Sequence, residues 1–197
     1  MALLDALTQS SLVILVLTAV GFSYFSPKKD SIAKEKEKSQ REAGGDLKRK
    51  YLICYGLAVL GDWLQGPYVY RLYMVHGLAE SEIHSLFVCG FLSACLLGPF
   101  MGVIWDKCGR LCGIRVYGLM YAASCFLTAH GSSFYALILG RILGGTSTAI
   151  LFSVFEAWLV SQSGKLGLSG EALGEIFTKQ TIVNSLVAVS RRVFFSE

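Results

Sequence analysis

The chain has 197 residues, 53% of them hydrophobic and only 16% charged, with a formal net charge of +4. A soluble domain of this length carries roughly a quarter charged residues, so the composition sets aside an ordinary soluble enzyme and points to a membrane protein. The excess positive charge lies largely in one early segment beside an apolar run, where membrane topology and anionic lipid explain it without nucleic acid.

The first apolar run ends at Phe25 and includes Leu12-Val-Ile-Leu-Val-Leu-Thr-Ala-Val20. A secretory signal would open on basic residues, but here Asp5 stands without Lys or Arg, and no clear small-x-small cleavage site precedes the charges. The run meets Ser26-Pro27-Lys28-Lys29, the border of a retained span. Residues 1–26 are therefore expected to form a leading transmembrane helix. Residues 27–50 follow as a basic cytoplasmic linker containing Lys34-Glu-Lys-Glu-Lys38. Its few apolar side chains cannot build a core, although a short solvated helix can form.

Five apolar stretches come next, at 51–75, 84–105, 114–129, 134–160 and 176–195. Each is near the length at which a helix crosses about 30 Å of hydrocarbon. The third is short, and the last is interrupted by Lys179, Asn184 and Arg191-Arg192, which leaves its crossing open. Lys and Arg mark alternate loops: the linker is basic, and the turn at 106–115 holds Lys107, Arg110 and Arg115. The loops at 76–84 and 130–133 contain neither. The positive-inside rule makes the basic pair cytoplasmic. A cysteine introduced at Ser39 should therefore be closed to an impermeant thiol reagent in intact cells, and labelling from outside would reverse the topology. The native cysteines, Cys54, Cys89, Cys95, Cys108, Cys112 and Cys125, are scattered and read as small hydrophobes. Cys108 and Cys112 have no second pair and no nearby His, so neither a metal site nor any cofactor is expected.

An ionisable side chain deep in a membrane costs several kcal/mol unless it meets a partner or water, so each is a functional candidate. Asp62, Arg141 and Glu156 stand out. At 100° per residue, Asp62 and Gln65 share a stripe with Tyr55, Gly66, Val69 and Tyr73. Arg141, Gly144, Gly145, Thr148, Phe152 and Glu156 form another, small and polar, suited to close helix packing or to lining a cavity. Counted from the ends of their apolar runs, Asp62 and Arg141 lie at comparable depths and are expected to pair within about 4 Å, or at least to point into a shared cavity. Such a pair would either fix packing or sense substrate or a coupled proton. Enzymatic readings fail: Asp62 has no second mid-span carboxylate for an aspartyl mechanism, and no span interior carries a His to serve as base.

The turn Gly102-Val-Ile-Trp-Asp106-Lys-Cys-Gly109-Arg110 resembles the signature loop between the second and third helices of the major facilitator superfamily, except that Leu111 replaces the usual second basic residue. Gly140-Arg141-Ile-Leu-Gly144-Gly145 resembles that superfamily's fourth-helix motif. Two longer strings, Gly61-Asp-Trp-Leu-Gln-Gly-Pro-Tyr-Val-Tyr70 and the segment from Gly140 to Trp158, resemble the molybdate-anion transporter branch. The likeness runs over about 51–189, and the last eight residues depart from it.

The resemblance implies an all-α membrane helical bundle: a partial amino-terminal half of the twelve-helix fold, at 51–197, with one extra leading helix. Four helices and an incomplete or doubtful fifth would make that half. It also implies a conformational gate at Gly102, Asp106, Gly109, Arg110 and Glu156, the charged members clustering at the cytoplasmic helix ends. The substrate would be molybdate or a similar oxyanion, which Arg141, Gln65 and Tyr68 could bind, with Asp62 and Thr148 as further candidates for substrate binding or coupling. The expected place is the cell membrane, as a multi-pass protein taking up molybdate. A chain of this extent is expected to be inactive alone; the alternative is a non-transporting partner or modulator of a full-length transporter chain.

Overall fold

The computed structural model describes residues 36–131 and 133–194. The leading helix expected at 1–26 and the first part of the linker lie outside the described residues. The rest is helical: α1 (Lys36–Val75), α2 (Glu80–Cys108), α3 (Arg110–His130), α4 (Phe134–Leu166) and α5 (Gly170–Phe194).

The expected border between linker and span at residue 50 is not a break, because α1 runs through it as one helix of 40 residues. Lys, Glu, Gln and Ala are good helix formers, and Asp46 pairs with Lys50 one turn on. The linker also contributes to the core: Leu47 is buried in it. Lys48 Nζ lies 2.7 Å from Glu175 Oε1, which Lys179 reaches from its own helix at 2.9 Å. The hydrogen bonds from Lys48 and Lys179 hold the Glu175 carboxyl down to about 2. This exposed tie between α1 and α5 therefore stays charged throughout the physiological range. Its contribution is present above the ordinary carboxyl range and fades only as pH falls from there toward 2.

Short turns join the helices. At the α2–α3 junction Gly109 takes φ +100, a conformation that L side chains rarely adopt, and its amide donates to the Trp105 carbonyl at 3.0 Å. Ser133 caps α4 by accepting from the Ala136 amide at 3.2 Å. Gly167 ends α4 in the left-handed region at φ +65.

The central helix is α4, packed along its length by α2 and α3, while α1 lies mainly against α5 and touches α4. Small residues set these spacings. A Cβ on Gly145 would overlap the Gly90 carbonyl oxygen and Ser93 Oγ of α2, and one on Gly144 would stand 2.8 Å from Ser124 Oγ of α3. Ser124 donates to the Gly140 carbonyl at 2.7 Å. This is the close backbone approach by which small residues and hydroxyls bind helices in lipid. An aromatic core of Tyr51, Tyr55, Tyr117, Tyr121, Phe155 and Trp158 fills the α1–α3–α4 contact. Phe91, Leu96, Phe100 and Val103 stand exposed along α2, as a lipid-facing surface would.

Of the five expected spans, α2, α3 and α4 are long and apolar enough to cross a membrane. The other two fall short because their apolar runs carry Asp62 and Gln65 on α1, and Lys179, Gln180 and Asn184 on α5. Those same residues, apart from the exposed-side Lys179, turn inward.

Candidate functional site

Three helices meet at Asp62. Its Oδ1 accepts from the Tyr121 hydroxyl of α3 at 2.9 Å and from Thr148 Oγ1 of α4 at 3.0 Å. The Tyr121 hydroxyl is also 3.1 Å from Gln65 Oε1, and Gln65 Nε2 reaches Cys125 Sγ at 3.7 Å. Thr148 has a second acceptor in the Gly144 carbonyl, at 3.1 Å. Each hydroxyl carries one hydrogen, so Asp62 shares its two donors with Gln65 and Gly144. Asp62, Gln65 and Thr148 are thus brought together. Tyr68 is half-buried one turn further along α1. Tyr121, absent from the sequence expectations, is the centre of the cluster. Nothing but its place in the shortest apolar run distinguishes it in the sequence.

The expected Asp62–Arg141 ion pair is not made: among the described residues no salt bridge joins them. Helix register explains the miss. Thr148, which does reach Asp62, lies seven residues beyond Arg141, about 10 Å along α4 at 1.5 Å per residue. Counting depth from the ends of apolar runs placed the membrane border at residue 51, yet α1 extends well before it. Arg141 instead sits nearer the outer end, level with Tyr73. Its guanidinium lies over the Phe87 ring, 4.7 Å from the centroid, a favourable cation–π contact. The slot exists because Gly90 has no side chain: a Cβ there would stand 3.4 Å from Arg141 Nε. That Nε is buried and makes no hydrogen bond.

A double-mutant cycle of Asp62→Asn and Arg141→Gln should accordingly show a coupling below about 1 kcal/mol in unfolding free energy. Breaking a buried ion pair costs about 3–5 kcal/mol, and coupling of that size would restore the pairing.

At the α2–α3 turn, Arg110 Nε binds Asp106 Oδ1 at 2.6 Å, and Arg110 Nη1 donates to the Ala157 carbonyl of α4 at 2.9 Å. The turn between α2 and α3 is thereby fastened to α4. Glu156, expected in the same charge cluster, points elsewhere and accepts from Gln180 Nε2 of α5 at 2.7 Å. Gln180 Oε1 accepts in turn from the buried Tyr51 hydroxyl at 2.7 Å. Trp63 Nε1 donates to Asn184 Oδ1 at 3.0 Å. Of the motif glycines, Gly109 makes the turn, whereas Gly102 lies inside α2 with open space around it.

The sequence pattern of a family described as sugar transporters with 12 transmembrane segments matches residues 12–196. A molybdate-anion transporter of Takifugu rubripes is 40% identical over 140 residues, 71% of this chain and 29% of the relative. The protein of the same description from Danio rerio is 42% identical over 114 residues, 58% of this chain and 24% of the relative. The quinolone resistance protein NorA of Staphylococcus aureus is 32% identical over 75 residues, covering 38% of this chain and 19% of that protein. No solved structure matches. The chain spans less than a third of the length of these relatives.

Proposed function

The chain belongs to this major facilitator family of twelve-span transporters, and from that premise we propose that it contributes to carrying a tetrahedral oxyanion of the molybdate type across the cell membrane. The observation that carries the reading is Arg141. Its Nε is buried and unbonded, and no carboxylate lies within ion-pair distance among the described residues. A guanidinium nitrogen buried without a hydrogen bond carries a cost, which one contact with an aromatic ring offsets only in part. A dianion arriving beside it supplies the missing charge. The relatives described as molybdate-anion transporters favour the same class of substrate.

In this reading Asp62, Gln65 and Thr148 form a second polar level about two turns deeper. Asp62, held by hydroxyls rather than by a cation, is then free to take up a coupled proton. Tyr68 lies on the same helix within reach of the passage. Gly102, Asp106, Gly109, Arg110 and Glu156 serve the gate, with Arg110 tying the α2–α3 turn to α4. Substrate sites in such transporters lie between two repeat halves that rock about them, so the remaining surface of the site comes from further helices.

Uptake of labelled molybdate by cells expressing this chain is the test. With this chain replacing the matching segment of a full-length relative, uptake above that of control cells, abolished by Arg141→Gln, is the expected result. No uptake in that setting, with altered uptake when the chain is expressed beside a full-length relative, would make it a non-transporting modulator instead.

A further inference from the structure

Two more polar groups near Arg141 lack partners. The hydroxyl of Tyr73 and Oγ1 of Thr128 are buried and unbonded, like Arg141 Nε, and the two residues are only 0% and 2% exposed. Tyr73 comes from α1, Thr128 from α3 and Arg141 from α4, and the Tyr73 hydroxyl lies near enough to interact with both of the others, although none of the three atoms reaches hydrogen-bond geometry. The Phe87 ring and the bare Gly90 of α2 close the fourth side. Native proteins leave very few buried hydrogen-bonding groups unsatisfied. Three of them converging from three helices form a place prepared for something that accepts hydrogen bonds.

Resting on the oxyanion reading above, we infer that Tyr73, Thr128 and Arg141 together form the outer binding pocket for that oxyanion, with the two hydroxyls as positioning and selecting groups. A hydroxyl beside a guanidinium turns its oxygen toward the cation and its hydrogen away, so Tyr73 and Arg141 present hydrogens to a ligand, and the rotatable Thr128 hydroxyl next to Tyr73 can add a third. A fully ionised tetrahedral oxyanion, such as molybdate or sulfate, is an acceptor on every face and satisfies them. Phosphate keeps a proton at neutral pH and would meet no carboxylate within ion-pair distance of Arg141 to receive it.

The test is thermal unfolding of the full chain in nanodiscs, with sodium molybdate, sulfate or phosphate against sodium chloride at matched ionic strength. Molybdate should raise the melting temperature of the wild type, sulfate should act similarly, and phosphate should act more weakly. Tyr73→Phe and Thr128→Val keep the shape of the residue and remove only a hydroxyl. Each should weaken molybdate binding about tenfold or more, the worth of one hydrogen bond to a charged group. Without ligand, both variants should be as stable as the wild type or more so, because an unsatisfied buried group has been removed. Ser163 carries a buried, unbonded hydroxyl near the far end of α4, so Ser163→Ala should leave molybdate binding unchanged.

Wild-type affinity in both hydroxyl variants, or their failure to fold, would overturn the pocket. Should Arg141→Gln still lose binding in that case, the oxyanion reading would survive it. Wild-type binding in Arg141→Gln, or no molybdate-dependent shift in the wild type, would remove both.

Discussion

Gly145→Ala is expected to destabilise the chain by about 2–3 kcal/mol, the ordinary cost of forcing a methyl group into a close-packed contact. For a chain of this size that corresponds to a fall of roughly 5–10 °C in melting temperature. The new Cβ would collide with the Gly90 carbonyl oxygen and Ser93 Oγ, and a helix backbone cannot turn aside as a flexible side chain can. The helices α2 and α4 would have to separate, loosening the slot that holds Arg141. Gly164→Ala, on the same helix with open space around it, should be neutral or slightly stabilising. Thermal unfolding of the two variants in nanodiscs checks the pair, and equal stability would mean that α2 and α4 are not in contact at Gly145.

Gln180→Leu should have an effect of similar size, about 3 kcal/mol. It removes the donor that meets the Glu156 carboxylate and the acceptor that meets the Tyr51 hydroxyl, and leaves both groups facing an apolar side chain. An orphaned buried polar group costs about 1–3 kcal/mol, and more when it is charged. Adding Tyr51→Phe to Gln180→Leu should recover part of the loss, since one orphan then disappears. Adding it to the wild type should destabilise. A double variant no more stable than Gln180→Leu alone would show that the hydroxyl takes no part in holding α5.

These two sites show which features were legible in the sequence. Gly144 and Gly145 were marked by composition, because small residues in an apolar run have a physical use in helix packing. Asp62 and Arg141 were marked because ionisable groups in lipid are costly, and Thr148 because it shares a helix stripe with Arg141. The identity of the helices and the α2–α3 turn followed from apolar length and from the motif around Gly109. Partnership was not legible. Asp62 takes Tyr121 and Thr148 rather than Arg141, because register depends on where each helix begins, and α1 begins inside what composition marks as a linker. Tyr121, Tyr73 and Thr128 look like ordinary members of apolar runs, and only convergence in space gives them meaning. Lys179, Asn184 and Arg191-Arg192 made α5 look doubtful as a span, yet Gln180 and Asn184 bind it to α1 and α4.

Equilibrium binding of labelled molybdate to the purified chain, with and without Arg141→Gln, tests most directly whether this guanidinium waits for an oxyanion. The account predicts saturable binding to the wild type that excess sulfate displaces. Arg141→Gln should weaken it by well over tenfold, since a hydrogen bond to a charged group is worth about 1.5–3 kcal/mol before the lost charge attraction is added. Arg141→Lys should fall between the two, keeping the charge but losing the planar fork and its stacking on Phe87. Equal affinity in the wild type and Arg141→Gln would contradict the account.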